Sequence, residues 1–206
     1  ALIIDLRDNP GGDNSFSDRM VAWFADRPFR FCSAFRIKVS PQTRASHRER
    51  LERNPNLADD SPGSFSDLYA NNPDGAVVEF EIPWSEPRQG RRFEGQIYVL
   101  INRHSFSNAV TVAALIQDFA FGTVIGEPTS DLATTYGAME HFTLPHTGLR
   151  VGYPKAHILR PNGDERPHGV TPDVDIETPL VQGPEDPVLQ EALALVTAGL
   201  GGGTRG

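Results

Sequence analysis

Two short stretches of the 206-residue chain place groups suited to acyl chemistry at the ends of apolar runs. In the first, Asp5-Leu6-Arg7-Asp8-Asn9-Pro10-Gly11-Gly12, paired glycines follow an apolar segment. Glycine lets a backbone approach a ligand closely with its N–H groups turned outward, and such groups bind a carbonyl oxygen or an oxyanion. The plainer alternative is a tight strand-to-helix turn in which glycine serves only sterics. In the second, Leu100-Ile101-Asn102-Arg103-His104-Ser105-Phe106-Ser107-Asn108-Ala109, an apolar run enters a polar turn and then a helical pattern. Ser107 falls where that helix starts. It reads either as an N-cap, a position that favours serine, or as a nucleophile facing the helix N-terminus and the Asn108 N–H. Ser105 competes for both roles.

Groups of this kind act only when strands and helices hold them at fixed ends. Ala1-Leu2-Ile3-Ile4-Asp5-Leu6-Arg7 reads as a strand buried on both faces. A domain rarely opens on its own central strand, and no initiator Met, basic segment or signal peptide precedes this one. The expectation is an excised piece of a longer chain. A helix is expected from Ser15 to Ala25 and a strand from Phe29 to Val39. Residues 41–75 read as an exposed insertion or lid, with a polar helix over Arg44 to Arg53. Strands follow over Ala76–Trp84 and Gly95–Asn102, then a helix over Ser107–Phe119 and a strand over Thr123–Gly126. Met139–Leu144 and Leu149–Tyr153 form a hairpin, its second arm extended by Lys155–Leu159. The segment Thr134-Thr135-Tyr136-Gly137 either walls a cleft or is ordinary loop. Phe119, Phe121, Trp23 and Phe24 read as core. The domain division is a core over 1–180, a C-terminal helix within 181–199 and a disordered tail over 200–206. Strand–loop–helix alternation makes the fold α/β with β-rich additions.

Composition excludes several classes. A formal charge of −8 argues against holding nucleic acid by its phosphates. No apolar run approaches the roughly 20 residues of a transmembrane helix. The single cysteine, Cys32, leaves no internal disulfide framework and no Cys-based zinc site. No histidine has ligand spacing with carboxylates that would make a metal persuasive, and no cofactor is called for. Lysine is scarce: Lys38 and Lys155 are the only two of nineteen basic residues, the others being arginine.

Four motifs occur in one order: the Asp5-to-Gly12 turn, Ser105-Phe106-Ser107 with its helix, Gly126-Glu127-Pro128-Thr129, and Gly169-Val170-Thr171-Pro172-Asp173. Together they closely resemble the catalytic core of the C-terminal-processing (tail-specific) serine peptidases, whose relatives include the tricorn protease core. The resemblance covers roughly residues 1–175 apart from the insertion and implies a ClpP/crotonase-like core acting on protein or peptide substrates. It puts the nucleophile on Ser107 and the oxyanion hole on the Gly11-Gly12 turn, with the Asn108 N–H as second donor. Tail-specific members carry a lysine base about 25 residues after the serine; here that position is Leu132. The resemblance is therefore nearer the tricorn-like branch, whose triad is Ser–His–Glu. Counting 58 residues from Ser107 gives Glu165 as the acid, and the matching histidine would lie upstream of Ala1. The histidines present are His47, His104, His141, His146, His157 and His168; none occupies a family base position. Relatives mostly work outside the cytoplasm, so a periplasmic or secreted location is expected, and homo-oligomerisation stays open. A binding module on the same fold, like the retinoid-binding relatives, is the main alternative, with a crotonase-like acyl-CoA enzyme behind it.

Overall fold

Five consecutive apolar residues, Ile97-Tyr98-Val99-Leu100-Ile101, set the main sheet, because a strand turns alternate side chains to opposite faces. In the computed structural model, which describes residues 1–179 and 183–201, all five are 6% exposed or less. They form β4 (Ile97–Ile101), paired in parallel with β1 (Leu2–Asp5) and β5 (Thr123–Gly126), and β5 pairs in parallel with β8 (Val174–Asp175). The order is β1-β4-β5-β8. Ile97, Val99 and Ile101 pack with α1 (Asn14–Val21) and α4 (Asn108–Asp118). Tyr98 and Leu100 pack with Val188 and Ala192 of α5 (Pro187–Gly201). Helices on both faces of a parallel sheet explain why β4 is apolar throughout.

The chain divides into two compact units, which it enters and leaves repeatedly: residues 1–31, 84–134 and 160–206 form the first, and 32–83 with 135–159 the second. In the second unit, β2 (Ala34–Lys38), β3 (Val77–Glu79), β6 (Thr135–Thr143) and β7 (Arg150–Leu159) form an antiparallel sheet in the order β3-β2-β7-β6. Also in this unit are α2 (Pro41–Arg53), a 3-10 turn at Pro55–Leu57 and α3 (Phe65–Asn71). Ser40 starts α2 with a reciprocal capping box, its Oγ accepting from the Thr43 N–H while Thr43 Oγ1 accepts from the Ser40 N–H.

Several expectations change on contact with the structure. Among the described residues β1 stands at the end of its sheet order, with side chains exposed or half-buried rather than fully buried; Ile4 packs on the face of α1 and α4 and Ile3 on the face of α5. The 41–75 stretch holds two helices and a 3-10 turn, because Ser40 and Ser64 supply caps that composition alone did not weigh. The hairpin's first arm begins at Thr135, and its register is the same on both sides of Ala138, which sits at φ 56°. Trp23 is half exposed, with the Arg88 guanidinium over its ring at 3.8 Å, whereas Phe24 is core as expected. The C-terminal helix continues to Gly201, into the first two residues of the tail expected over 200–206, and residues 202–206 lie outside the described residues.

The second unit buries an ionic cluster. Lys155 is 7% exposed; its Nζ donates to Glu140 Oε1 at 2.9 Å and lies 4.9 Å from the Phe65 ring centre. Arg50 donates to the same carboxylate oxygen. Burial pushes the Glu140 carboxyl up, but the hydrogen bonds from Arg50 and Lys155 outweigh it and leave the group below its ordinary value. Burial pushes the Lys155 amine down, against the pull of Glu140. Removing the carboxylate would strand both cations. Glu140→Gln is expected to destabilise folding by about 3 kcal/mol, at the low end for a broken buried pair because Arg50 is partly in solvent. Urea unfolding measures this, and a change below about 1 kcal/mol would refute the role.

Candidate active site

Among the elements of the first unit, the ends of β1 and β4 bring the two chemistry-bearing turns together. Leu6 donates its N–H to the Leu100 carbonyl at 2.9 Å, continuing the strand pairing past Asp5. Asn102 joins the turns: its Oδ1 accepts from the N–H groups of Asp8 and His104 at 3.1 and 3.0 Å, and its Nδ2 donates to Asp8 Oδ1. The Phe106 N–H donates to the Asn9 carbonyl at 2.9 Å. Gly11, at φ +88°, then lies so close that a β-carbon there would sit 2.7 Å from Ser107 Cβ and 2.8 Å from both Asn108 N and Phe106 O.

The two serines differ in their bonds. Ser105 is 1% exposed; its hydroxyl donates to the Leu6 carbonyl at 2.8 Å and accepts from the Asn102 N–H. It is a structural tie between β1 and β4. Ser107 occupies the N-cap position of α4 but makes no side-chain cap bond, and its backbone is at φ 53°, ψ −122°. A capping serine has an extended backbone and bonds to the helix N–H groups, so Ser107 does not behave as one. Its side chain is exposed, and among the described residues nothing hydrogen bonds to its Oγ.

Backbone N–H groups around the turn can be accounted for individually. Phe106 donates to Asn9, Ser107 to Asp131 Oδ2 at 2.6 Å, and Ala109 to the Phe106 carbonyl. Gly11 donates to Asn9 Oδ1 at 2.9 Å. Among the described residues, the N–H groups of Asn108 and Gly12 have no acceptor within hydrogen-bond distance. Asn108 turns its side-chain amide to Ser17 Oγ at 3.2 Å. A cavity of about 450 Å³ lies beside the turn, lined by Asp8, Pro10, His104, Phe106, Ser130 and Asp131 among others.

The strand ends are tied by charge. Arg103 donates through Nε and an Nη to the two oxygens of Glu127 at 2.9 and 2.7 Å, and its backbone N–H donates to the same carboxylate. These hydrogen bonds hold the Glu127 carboxyl below its ordinary value against the opposing push of burial. Thr129 ties the next loop to the Gly169-Val170 motif: its N–H donates to the Val170 carbonyl, and its Oγ1 accepts from the Val170 N–H.

Glu165 lies exposed on the turn between β7 and β8. Asp164 accepts from Arg166 and from His168 Nε2 at 3.1 Å, while its carbonyl accepts from Thr134 Oγ1. The Arg166 hydrogen bonds hold the Asp164 carboxyl well below the ordinary range. His168 thus has a carboxylate partner that sequence reasoning did not foresee, but its Nδ1 is bonded to the Gly169 carbonyl, so neither ring nitrogen is left for a serine. His104 is exposed. The sequence reading also passed over Asp131 and the Arg103–Glu127 pair. Both link residues 24 apart across loops, where spacing carries no signal. Among the described residues, no group of three or more His, Cys, Asp or Glu could hold a metal, and no helix is long and apolar enough to cross a membrane.

Two outcomes follow from this geometry. Gly11→Ala meets both a positive φ and a backbone wall and is expected to cost about 2–3 kcal/mol. Gly12→Ala, with nothing within 4 Å of the added carbon, should change stability by about 0.5 kcal/mol or less. Equal effects in chemical denaturation would contradict the close approach. The Glu127 carboxyl, depressed in the folded state, contributes stability above its unfolded value near 4.5 and loses it as pH falls through the lower folded value. Glu127→Gln should therefore be less stable at neutral pH and show a flatter decline on acidification; an unchanged pH profile would exclude the linkage.

Comparison with known proteins assigns the scaffold. The model for peptidase family S41 matches residues 1–176. No curated protein matches the chain. Among solved structures, a putative peptidase from Parabacteroides merdae is 20% identical with a TM-score of 0.63, over 95% of this chain and 51% of that one. Mature CPAF is 21% identical with a TM-score of 0.56, over 84% and 38%. A putative S41 protease from Bacteroides fragilis is 16% identical with a TM-score of 0.53, over 95% and 44%. The chain thus spans about half or less of the length of these structures, and at such identities they share its α/β fold. On the strength of the match over 1–176, the chain belongs to peptidase family S41.

Proposed function

We propose that the chain is the core of a serine peptidase that hydrolyses peptide bonds through an acyl-enzyme on Ser107. The observation that carries this reading is the backbone of Ser107. It is held at a left-handed φ at a helix N-terminus, with its hydroxyl free of any capping bond, against a glycine turn. Such a turn presents an oxygen rather than a cap.

In the proposed reaction, Ser107 Oγ attacks the scissile carbonyl carbon while a base takes its proton. The carbonyl oxygen becomes an oxyanion that accepts from the Asn108 N–H and from the Gly11-Gly12 turn. Gly12 supplies the N–H, and Gly11 supplies the close approach. The base returns the proton to the leaving amine as the C–N bond breaks, and water then hydrolyses the ester. Losing one oxyanion donor typically costs about 10²–10³ in rate. Leu132 stands where a lysine base would be, and Lys155 is bound to Glu140 in the second unit. Both facts support a histidine base. None of the chain's six histidines bonds to Ser107 Oγ, so we assign that role to a histidine outside these 206 residues, with Glu165 as its orienting acid. Substrates on this reading are unstructured proteins or peptides.

A second reading, a peptide-binding module without catalysis, is favoured by one fact: among the described residues no base touches Ser107 Oγ. The natural full-length protein decides between them. With an unstructured protein as substrate, Ser107→Ala is expected to lower hydrolysis by about 10³-fold or more, and Glu165→Gln by about 10²-fold or more, consistent with loss of a base-orienting acid. Wild-type turnover in Ser107→Ala would exclude the nucleophile. Peptide binding without turnover by the wild type would establish the second reading.

A further inference from the structure

Ser107 is kept in its unusual conformation by something other than its own side chain. A non-glycine residue at φ 53° carries strain of about 1–3 kcal/mol and persists only when its surroundings over-determine it. Gly11 closes one side of the turn. On the other side the Ser107 N–H donates to Asp131 Oδ2 at 2.6 Å. This contact is short for an N–H···O hydrogen bond.

Asp131 is itself anchored. Its carbonyl accepts from Thr129 Oγ1 at 2.8 Å, and Thr129 is bonded in both directions to Val170. Gly169 packs so tightly on Thr129 that a β-carbon would fall 2.0 Å from its carbonyl oxygen. Three residues beyond Val170, Asp173 accepts from the Val124 N–H of β5 at 2.8 Å. A continuous path of bonds therefore runs from the sheet through the Gly169-to-Asp173 motif and Thr129 to Asp131, and ends on the backbone of Ser107.

We propose that Asp131 is a positioning residue: by accepting the Ser107 N–H it fixes the backbone that aims the nucleophile, and it withdraws that N–H from the oxyanion site, leaving Asn108 and the glycine turn as donors. The proposal rests on the assignment of Ser107 as nucleophile. It makes no demand on the negative charge of Asp131, only on its acceptor oxygen, and this separates it from a role in binding substrate or in proton transfer.

The test uses the natural full-length protein and compares Asp131→Ala, Asp131→Asn and Ser107→Ala, reading kcat and KM on an unstructured protein substrate together with melting temperature. A misplacement of the attacking oxygen by about 1 Å can cost on the order of 100-fold. Asp131→Ala is accordingly expected to lower kcat about 10- to 100-fold with KM within about twofold. Asp131→Asn retains an acceptor oxygen and is expected to restore kcat to within about threefold of wild type. Should Asp131→Ala fail to fold, Thr129→Val removes the anchor of Asp131 and is expected to lower kcat several-fold. Wild-type kcat in whichever of these two variants folds, a loss confined to KM, or an Asp131→Asn variant as impaired as Asp131→Ala would each overturn the proposal. If Ser107→Ala keeps its activity, the nucleophile assignment has failed. If Ser107→Ala is dead and Asp131→Ala is normal, only the positioning role has failed.

Discussion

Between Gly11 and the Phe106–Ser107–Asn108 backbone there is no room for a β-carbon, and the geometry of the site depends on that contact. It lets two strand-end loops, nearly a hundred residues apart, meet main chain to main chain. Once they do, Phe106 can donate to Asn9, the helix can start without a side-chain cap, and the Asn108 N–H is left open. An added methyl would push the loops apart and undo all three. The site is therefore specified by an absence of atoms at position 11 as much as by the hydroxyl at position 107.

A backbone contact of this kind has meaning only if the strand ends are rigid. β4 supplies rigidity by burial, with apolar side chains on both faces. Ser105, Asn102 and the Arg103–Glu127 pair add ties where β4 leaves the sheet. Arg7 does the same for β1, gripping Asp5 and Asp186, and Asp186 in turn accepts from the Leu189 N–H at the start of α5. The ties of Ser105 and Asn102 also satisfy polar groups that would otherwise be left unpaired at the buried end of β4. The outcome is a set of tied strand ends on which a strained serine can be kept.

What was legible in the sequence follows the same physics. The core strand β4, β5 and helix α4 were readable because burial on both faces leaves a continuous apolar run and a helix leaves its period. The glycine turn and the Ser107 turn were readable as candidates, since glycine pairs and a serine after a buried strand are unusual. Between Ser105 and Ser107 residue type gave no choice, since both are serines in one turn; the family resemblance pointed to Ser107, and the structure adds that their hydrogen bonds and a backbone angle differ. Asp131 was invisible for another reason: its contact with Ser107 spans 24 residues and depends on Thr129 and Val170, which sequence spacing does not relate. β1 read as central because its composition is that of a buried strand, although composition does not say how many neighbours a strand has.

The scarcity of lysine also has a structural side. Three buried or half-buried pairs, Arg7–Asp186, Arg103–Glu127 and Arg160–Asp118, are each two-pronged, with two guanidinium nitrogens on the two oxygens of one carboxylate. A lysine ammonium is a point charge and cannot make that planar, two-bond match. Where a strand end needs a tie of fixed direction, arginine is the cation that supplies it. Arginine stays protonated in proteins and cannot take a proton from serine. The same preference that stiffens the scaffold therefore leaves the first unit, whose basic side chains are all arginine or histidine, without an amine to act as base.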